Sequence, residues 1–282
     1  MALKAYFAIQ ATFGLKPVSS LNAVATFDAS LDQSWPPGGH DPLLSELANR
    51  HILADGSLNF ATVLNDPALG RIAMVSSFGA DSAVMLHQIA THNADLDVLF
   101  IDTGKHFAQT LDYVDTLEAE LGLRSIKHIK PDPKLLVAED PEHGLWQKNP
   151  DLCCMLRKTF PLQDALSNYD SWITGRKRFQ GAARAALPFF ERDGDHVKLN
   201  PLAKWSADDI VNYAKKHDLP RHPLVAQGYL SIGCAPCTRA VKPGEDARAG
   251  RWSGLNKVEC GIHLGPDATF ARNALAVHGD GI

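Results

Sequence analysis

The feature that most limits the fold of this chain is an alternation of short apolar segments with longer amphipathic ones. Residues 71–76 (RIAMVS) and 97–102 (DVLFID) predict strands, and the segment after each of them predicts a helix. Two more strands are predicted at residues 125–129 and 171–174. Because strands separated by helices of this length pair in parallel through right-handed crossovers, the sequence predicts an α/β fold around a parallel sheet.

The regions that flank this alternation predict further elements and a division of the chain into three parts. The further elements are a helix at 41–50, a hairpin with strands at 189–192 and 196–199, and a helix that Ser206 caps and that runs to about residue 217. The three parts are an N-terminal extension at 1–40 with weak periodicity, an α/β core at 41–228, and a cysteine- and arginine-rich segment at 229–282 that packs on the core.

Composition and charge exclude several classes of protein. The chain has 282 residues, 45% of them hydrophobic, and a net charge of −4. It contains no run of about 18 apolar residues, which argues against a membrane-spanning protein, and the negative charge argues against a general nucleic-acid binder. Two basic islands, at residues 153–184 and 234–260, stand out from this background. They favour a small anionic ligand, although a solvated basic face has the same composition.

Polar turns follow the first two predicted strands. In a doubly wound sheet these turns lie at the carboxyl ends of the strands, where ligands bind, and a glycine-bearing turn before a helix can form an anion-binding nest of N–H groups. An ordinary capped turn would look similar, and no Walker A lysine is present. The candidate residues are Ser76, Ser77, Phe78, Gly79, Ala80, Asp81 and Ser82 in the first turn, and Asp102, Thr103 and Gly104 in the second.

Four of the five cysteines occur as two pairs, and the fifth stands alone. Adjacent Cys153 and Cys154 are poor disulfide partners for each other, and Cys234 and Cys237 form a C-x-x-C pair. Structural zinc fits the adjacent pair badly, whereas a four-iron cluster needs the four thiolates that these pairs supply. Unliganded buried thiols remain the alternative. Cys260 is then left as a candidate nucleophile in a loop-rich tail, or as an incidental exposed thiol.

Taken together, the motifs resemble those of the assimilatory sulfonucleotide reductases, and most closely the cluster-bearing adenylyl-sulfate (APS) reductases that use thioredoxin. The resemblance covers roughly residues 44–265. It rests on SSFGADS, DTGxxF, CCxxRKxxPL, ITGRKRFQ, the GCAPCTRAV and GEDARAGRW run, and the terminal ECGIH, all in the family's order. Each motif alone is weak, but their joint occurrence is specific.

The resemblance implies a fold and a set of site residues. The fold would be an adenine-nucleotide α-hydrolase-like parallel sheet flanked by helices, and residues 76–82 would be a modified pyrophosphate loop. A [4Fe-4S] cluster would be held by the two cysteine pairs, and Cys260 would be the nucleophile on the C-terminal tail. Substrate contacts would come from His263 and from basic residues around the anions of the nucleotide. These basic residues are Lys158, Arg178, Arg239, Arg248 and Arg251.

The resemblance also implies a reaction. The chain would reduce APS to sulfite and AMP in assimilatory sulfate reduction, through an S-sulfocysteine on Cys260 that thioredoxin or glutaredoxin resolves. A thiol-based donor and labile cysteines imply a reducing cytoplasm. The oligomeric state stays open, a homo-oligomer included.

Three other functions compete with APS reduction. A reductase that prefers 3′-phosphoadenylyl sulfate (PAPS) would use the same fold, although enzymes of that preference usually lack the two cysteine pairs. An ATP pyrophosphatase that adenylates or thiolates its substrate should have a Gly-Gly loop, where this chain has Phe78-Gly79-Ala80. A cluster- or zinc-binding regulatory module without enzymatic activity would leave the loop and Cys260 without a purpose.

Overall fold

A six-stranded sheet forms the centre of the molecule. The computed structural model describes residues 41–181, 184–255, 257, 259 and 261–262. Within this part of the chain the strands lie in the order β3-β2-β1-β4-β6-β5, so β3 and β5 form the two edges. All neighbours pair in parallel except the β5–β6 hairpin. The strands are β1 (Ile72–Ser76), β2 (Asp97–Ile101), β3 (Ile126–Ile129), β4 (Ser171–Ile173), β5 (Phe190–Asp193) and β6 (His196–Leu199).

Nine α-helices of the described residues connect and cover these strands. In chain order they are α1 (Pro42–His51), α2 (Phe60–Val63), α3 (Ser82–Asn93), α4 (Ala108–Leu121), α5 (Pro133–Glu139), α6 (Leu145–Lys148), α7 (Pro150–Cys154), α8 (Phe160–Leu166) and α9 (Ala207–Lys216). A π-helical turn, Met155–Thr159, joins α7 to α8. Short 3-10 turns lie at Pro67–Leu69, Arg178–Gln180, Pro223–Gln227 and Ala235–Cys237.

Both faces of the sheet are buried, as expected for parallel strands. Along β1, Met74 points into the larger core, whereas Ala73 and Val75 point into the smaller core on the opposite face. This alternation follows from the two-residue period of a strand. Helices α1, α3, α4 and α9 contribute to the larger core, and α8 contributes Leu162 and Leu166 to the smaller one.

Local sequence signals set several helix ends. The Asp41 carboxylate accepts hydrogen bonds from the first-turn amides of α1, which begins with Pro42. Ser206 and Asp209 form a reciprocal capping box at the start of α9. Helix α4 ends at Gly122, which has the left-handed conformation that glycine adopts without strain.

The predicted α/β fold is confirmed, and the predicted strands differ from the observed ones by at most one residue at each end. The sequence predicts the hairpin but not its position relative to the sheet. In the structure its strands β6 and β5 extend the sheet beyond β4, and the sheet is therefore mixed. The predicted extension at 1–40 lies outside the described residues, so the division into three parts stays a prediction. No helix in the described part of the chain is long and apolar enough to cross a membrane.

Candidate active site

A cleft of about 270 Å³ lies at the carboxyl ends of β1 and β4. From β1 the chain runs outward to β2 and β3, then returns to place β4 on the other side of β1. The β1–β4 boundary is therefore the point where the strand order reverses, which is where doubly wound sheets bind ligands. The turns after these two strands, residues 76–82 and 174–180, both contribute to its lining.

The loop after β1 has the form of an anion site. The Ser76 hydroxyl accepts a hydrogen bond from the Phe78 amide, and Phe78 has a positive φ of 46° while its ring is buried against Phe100. At Gly79 a Cβ atom would lie 3.2 Å from the carbonyl oxygen of Ile232, so the close approach of the two segments favours glycine. Ser76, Ser77, Gly79, Ala80, Asp81 and Ser82 line the cleft, whereas the ring of Phe78 supports the loop from the core.

The helix that follows this loop keeps its first turn free of side-chain caps. Asp81 occupies the N-cap position of α3 but makes no side-chain hydrogen bond to the helix. Its carboxylate instead binds the ammonium of Lys177 at 3.0 Å. Lys177 is almost fully buried, and burial lowers its pKa although the charge of Asp81 opposes this shift. The start of α3 is therefore available to an anion in the cleft.

Positive charge dominates the cleft. Among the described residues, six basic side chains line it against three acidic ones, Asp81, Asp246 and Glu259. The basic residues come from the π-helical turn, from the loop after β4 and from the C-terminal segment. They are Lys158, Arg176, Lys177, Arg184, Arg248 and Arg251.

Two of the basic residues proposed from the sequence do not reach this cleft. Arg178 points away from it and donates from Nε to the carbonyl oxygen of Leu187 at 2.8 Å. Arg239 forms an ion pair with Glu245 at 2.8 Å and also contacts Ser253. The structure therefore does not bring these two side chains to the other candidate residues, whereas it does bring Lys158, Arg248 and Arg251 there.

Arg176, in contrast, does line the cleft, and neighbouring side chains fix the position of its guanidinium. Its guanidinium contacts Glu191 and donates to Asn200 at 3.0 Å, and Asn200 accepts a further hydrogen bond from Thr174 at 2.6 Å. Burial lowers the pKa of Arg176 to about 10, and neighbouring Arg184 adds to this shift. Even so, the group stays protonated at neutral pH, so the loop after β4 presents a fixed cation.

The second polar turn contributes less than its sequence suggested. Of its three residues only Thr103 lines the cleft, while the Asp102 carboxylate accepts a hydrogen bond from the Gly104 amide. His106, two residues beyond this turn, does line the cleft, and its Nε2–H donates to the carbonyl oxygen of Ile101 at 2.9 Å. Burial lowers the pKa of His106, which keeps the ring neutral and leaves Nδ1 as a buried acceptor without a hydrogen-bond partner.

The four paired cysteines line one small cavity beside the cleft. Helix α7 supplies Cys153 and Cys154, and the 3-10 turn near residue 235 supplies Cys234 and Cys237. None of the four forms a disulfide. In the part of the chain described, no three His, Cys, Asp or Glu side chains converge closely enough to hold a single metal ion. A cubane cluster spreads its thiolates over separate irons, so ligands that surround a cavity suit it better than they suit zinc.

The electrostatic surroundings of the cysteines are uneven. Burial raises the pKa of Cys153 to about 12, and the adjacent Cys154 adds to this shift. Burial and Cys234 likewise raise the pKa of Cys237. Burial also opposes ionisation of Cys234, but Lys158 and the Thr103 hydroxyl, 3.3 Å from its sulfur, outweigh it and lower its pKa.

Two buried guanidinium groups at this cavity have N–H donors without an acceptor. Arg157 uses its Nη atoms to bind the Asp140 carboxylate at 2.7 Å and the carbonyl oxygen of Thr103 at 2.9 Å, and its Nε has no partner. The Nε of Arg251 is also buried and unpaired, and both arginines line the cavity. Buried donors normally find an acceptor. An anionic group rich in acceptors, as an iron–sulfur cluster is, fits this donor set.

The predicted nucleophile Cys260 and the predicted contact His263 lie outside the described residues. Their neighbours Glu259 and Ile262 are described, and both line the cleft. In the sequence, Arg176, Lys177 and Arg184 stand out only as members of a basic island, and no motif indicates a role for His106 or Glu259. Their positions depend on partners in distant segments, such as Asn200 for Arg176, which no local pattern reveals.

A cationic cleft at the switch point of a doubly wound sheet is typical of nucleotide-binding α/β proteins. The sequence profile of the phosphoadenosine phosphosulfate reductase domain matches residues 71–240. The chain therefore belongs to this family, the sulfonucleotide reductases, which are oxidoreductases that act on sulfur groups. The family resemblance inferred from the sequence motifs is confirmed.

Curated relatives and a solved structure support the same family. The chain is 52% identical over 195 residues to an adenosine 5′-phosphosulfate reductase of Chelativorans sp., covering 69% of this chain and 80% of the relative. It is 55% identical over 193 residues to the protein of that name from Mesorhizobium japonicum, covering 68% and 76%. The crystal structure of phosphoadenylyl-sulfate reductase from Candida auris matches with a TM-score of 0.58 and 26% identity, covering 72% of this chain and 98% of that one. This neighbour confirms the adenine-nucleotide α-hydrolase-like fold.

Proposed function

We propose that this chain reduces APS to sulfite and AMP with electrons from thioredoxin or a similar dithiol protein. The observation that carries the proposal is that Lys158 and Arg251 line both the cationic cleft and the cysteine cavity. One pair of cations thus connects a site for an anionic nucleotide with a set of thiols suited to an iron–sulfur cluster. The curated relatives named adenosine 5′-phosphosulfate reductase support the choice of substrate.

The cleft residues would bind the phosphosulfate end of the substrate. The loop at 76–82 and the start of α3 supply N–H groups and serine hydroxyls to the anion. Lys158, Arg248 and Arg251 add full charges from the lining of the same cleft, and Arg176 adds a cation that Asn200 holds in place. These donors stabilise the charge that develops on the phosphate of the departing AMP.

The first chemical step would be transfer of the sulfonate group to Cys260. The Cys260 thiolate attacks the sulfur atom of APS, and a bond forms between the two sulfurs. The bond from that sulfur to the bridging oxygen breaks, and AMP leaves with the electron pair. The product on the chain is S-sulfocysteine. His263 is proposed as a neighbouring substrate contact rather than a base, because a thiolate needs none.

The second step would return Cys260 to its thiolate form. A thioredoxin thiolate attacks the Cys260 sulfur, and sulfite leaves with the electrons of the sulfur–sulfur bond. The second thioredoxin thiol then breaks the mixed disulfide, so the dithiol is oxidised to a disulfide while sulfate-level sulfur is reduced to sulfite. Glutaredoxin could take the same role.

The two cysteine pairs are proposed as the ligands of a [4Fe-4S] cluster. The surroundings favour this group, because Arg157 and Arg251, which line the same cavity, each have a buried Nε–H donor without a partner. When bound, the cluster would supply negative charge and rigidity beside the cleft, since both electrons of the reaction come from the dithiol. Cys153, Cys154, Cys234 and Cys237 would hold it, and Lys158 lines both their cavity and the cleft.

We propose the cellular compartment of this activity from the same thiol chemistry. Free thiols and a dithiol donor suit the reducing cytoplasm.

We propose a nucleotide-binding core at 41–228 and a C-terminal segment at 229–282 that carries the nucleophile, preceded by an extension at 1–40. The contacts of the C-terminal segment with the core, such as the hydrogen bond from the Ala235 amide to the carbonyl oxygen of Lys105, support packing on the core. A homo-oligomer is compatible with this arrangement.

The proposal is tested with anaerobically purified protein. Thioredoxin-dependent sulfite release is measured with APS and with PAPS in parallel, and the visible spectrum of the same sample is recorded. We expect iron–sulfur absorbance, a clear preference for APS, and loss of sulfite release in Cys260→Ser. Without thioredoxin, the native protein should gain the mass of one SO3 group on the Cys260 peptide. Cys260→Ser should not, and should keep the absorbance as the control for correct assembly.

Two outcomes would overturn parts of this proposal. A preference for PAPS would assign the chain to the substrate named for its Candida auris neighbour. Colourless protein that is inactive with both nucleotides would contradict the reductase function altogether. The cysteine pairs would then be zinc ligands or unliganded thiols.

A further inference from the structure

Two contacts hold the ring of His106 at the lining of the cleft. Its Nε2–H donates to the carbonyl oxygen of Ile101, the last residue of β2, at 2.9 Å. The ring also packs against that of buried Phe100, with the centroids 4.9 Å apart and the planes inclined by 38°. Because a carbonyl oxygen only accepts, Nε2 carries the proton and Nδ1 has a lone pair available to a donor. The contacts therefore set both the orientation and the tautomer of the ring.

The Nδ1 acceptor is unused within the described part of the chain. The atom is buried, and no described donor forms a hydrogen bond with it, although His106 lines the cleft. Buried acceptors normally have a donor, and an unsatisfied one costs free energy. Burial lowers the pKa of His106 and the charge of Lys158 lowers it further, so the ring is neutral at neutral pH. His106 thus offers a neutral acceptor in a cleft where positive charge dominates.

The chemistry of this acceptor selects the end of a nucleotide that it can meet. Phosphate and sulfate groups are ionised at neutral pH, so their oxygens accept hydrogen bonds and suit the cations of the cleft. The donors of an adenine nucleotide belong to its adenosine part, namely the amino group of the base and the hydroxyl groups of the ribose. The surroundings agree, because Ile101 and Val75 belong to one apolar cluster and both line the cleft. An uncharged nucleoside suits this environment better than an anion does.

A purely supporting role for His106 is the alternative. Such a role would use Nε2 alone, which satisfies the carbonyl oxygen of Ile101 at the end of β2. It would leave Nδ1 as a buried acceptor whose desolvation nothing compensates. A donor on a bound molecule removes this cost, which favours a role in binding.

We propose that His106 is a specificity-determining residue, whose Nδ1 accepts a hydrogen bond from a neutral N–H or O–H group in the adenosine part of the nucleotide. The inference rests on the proposed function, because it takes an adenine nucleotide as the ligand. It concerns binding alone, so it depends neither on sulfonate transfer nor on thioredoxin.

The first test separates the two nitrogens of the ring. AMP binding to anaerobically purified protein is measured by calorimetry. In His106→Gln the amide nitrogen can take the place of Nε2 and keep the bond to Ile101, but the acceptor at Nδ1 is lost. In His106→Asn the amide oxygen can take the place of Nδ1. We expect His106→Gln to weaken AMP binding about tenfold and His106→Asn to weaken it by no more than about threefold. A supporting role predicts the opposite order, which would overturn the proposal.

His128→Gln is the matched control. The ring of His128 packs edge-on against the same Phe100, with the centroids 5.2 Å apart, but it is exposed on β3 and does not line the cleft. AMP binding should be unchanged in this variant. Melting temperatures and visible spectra close to those of the native protein show that each variant is folded and assembled.

The second test identifies the donor on the nucleotide. Native protein and His106→Gln are titrated with three AMP analogues that each lack one donor. Purine riboside 5′-monophosphate lacks the amino group, and 2′-deoxy-AMP and 3′-deoxy-AMP each lack a hydroxyl group. We expect one analogue to bind the native protein about tenfold more weakly than AMP, and to bind His106→Gln as AMP does. Native protein that binds all three analogues as it binds AMP would overturn the proposal, and so would equal losses in both proteins.

The outcomes keep this inference apart from the reductase function. If AMP binding follows the expected pattern while no sulfite is released, the role of His106 is supported and the reductase function is contradicted. Unchanged AMP binding by both His106 variants of an active reductase would overturn the role of His106 alone. Native protein that binds no AMP would overturn both.

Discussion

His222 illustrates at the scale of one residue how burial determines protonation in this molecule. It is 1% exposed, its Nδ1 accepts from the Leu224 amide at 3.2 Å, and its Nε2 lies 3.0 Å from the Thr110 hydroxyl. Because Nδ1 is an acceptor, Nε2 carries the proton and donates to Thr110. Burial lowers the pKa of His222 to about 4, so the ring is neutral at neutral pH.

This protonation state predicts an acid-sensitive contribution to stability. An unfolded chain binds a proton at His222 below about pH 6.5, whereas the folded chain does not until about pH 4. The free energy of unfolding should therefore fall as the pH falls through this window, by up to about 3 kcal/mol from this residue. We expect His222→Gln, which can keep both hydrogen bonds, to lose less stability between pH 7 and 4.5 in urea titrations. Parallel pH profiles for the two proteins would contradict the assignment.

The charged residues show what sequence can and cannot locate at this scale. The basic islands were visible, and Lys158, Arg248 and Arg251 do line the cleft. Arg178 and Arg239 turn away because Leu187 and Glu245 offer them acceptors elsewhere. The direction of a long side chain depends on partners that only the folded chain brings together.

At the scale of elements, the loop between β1 and α3 depends on a close approach of two backbones. Gly79 lies against the carbonyl oxygen of Ile232, so a change in this loop is transmitted to the segment before Cys234. The strands could be predicted from the sequence because each is a short apolar run, and the loop could be predicted because it contains a glycine. It did not predict the π-helical turn after Cys154, since no residue in Met155–Thr159 marks one locally.

This close approach predicts the effect of a small substitution. In Gly79→Ala the new methyl group must displace Ile232 or the loop by a few tenths of an ångström. We expect AMP binding to weaken roughly threefold to tenfold, with a loss of about 1 kcal/mol in stability. Calorimetry and thermal melts measure the two effects. Gly144→Ala is the control, because its Cβ would meet only Lys148 at 3.8 Å. Equal AMP affinity in Gly79→Ala and Gly144→Ala would contradict the prediction.

At the scale of the whole molecule, the two cysteine pairs connect distant parts of the chain. One pair lies on α7 and the other follows the core strands by many residues, yet both line one cavity. A cluster held by all four would cross-link the C-terminal segment to the core and restrict the unfolded chain as well. From the sequence, the two pairs could be grouped as candidate ligands of one cluster. That all four line one cavity is seen only in the folded structure.

Removal of the cluster should therefore detach the C-terminal segment while the core stays folded. We expect that oxidation with a chelator exposes residues 229–262 to limited proteolysis while the core strands stay protected. Fragment masses measure this order, and loss of iron is confirmed by the visible spectrum. Cys260→Ser should keep the native protection, because Cys260 is not among the four proposed ligands. Simultaneous cleavage of core and C-terminal segment would contradict the cross-link.

The outer strands of the sheet also affect how copies of this chain meet. An unpaired strand edge is a template for other chains, and aggregation often begins there. Edge strand β3 exposes Lys127 and His128, which discourages such pairing. At the other edge, Arg192 of β5 binds Asp41 at 2.8 Å and brings the start of α1 against that strand. Crowded copies should therefore stay dispersed rather than extend one sheet into another, and any assembly of this chain would form through its helical and loop surfaces.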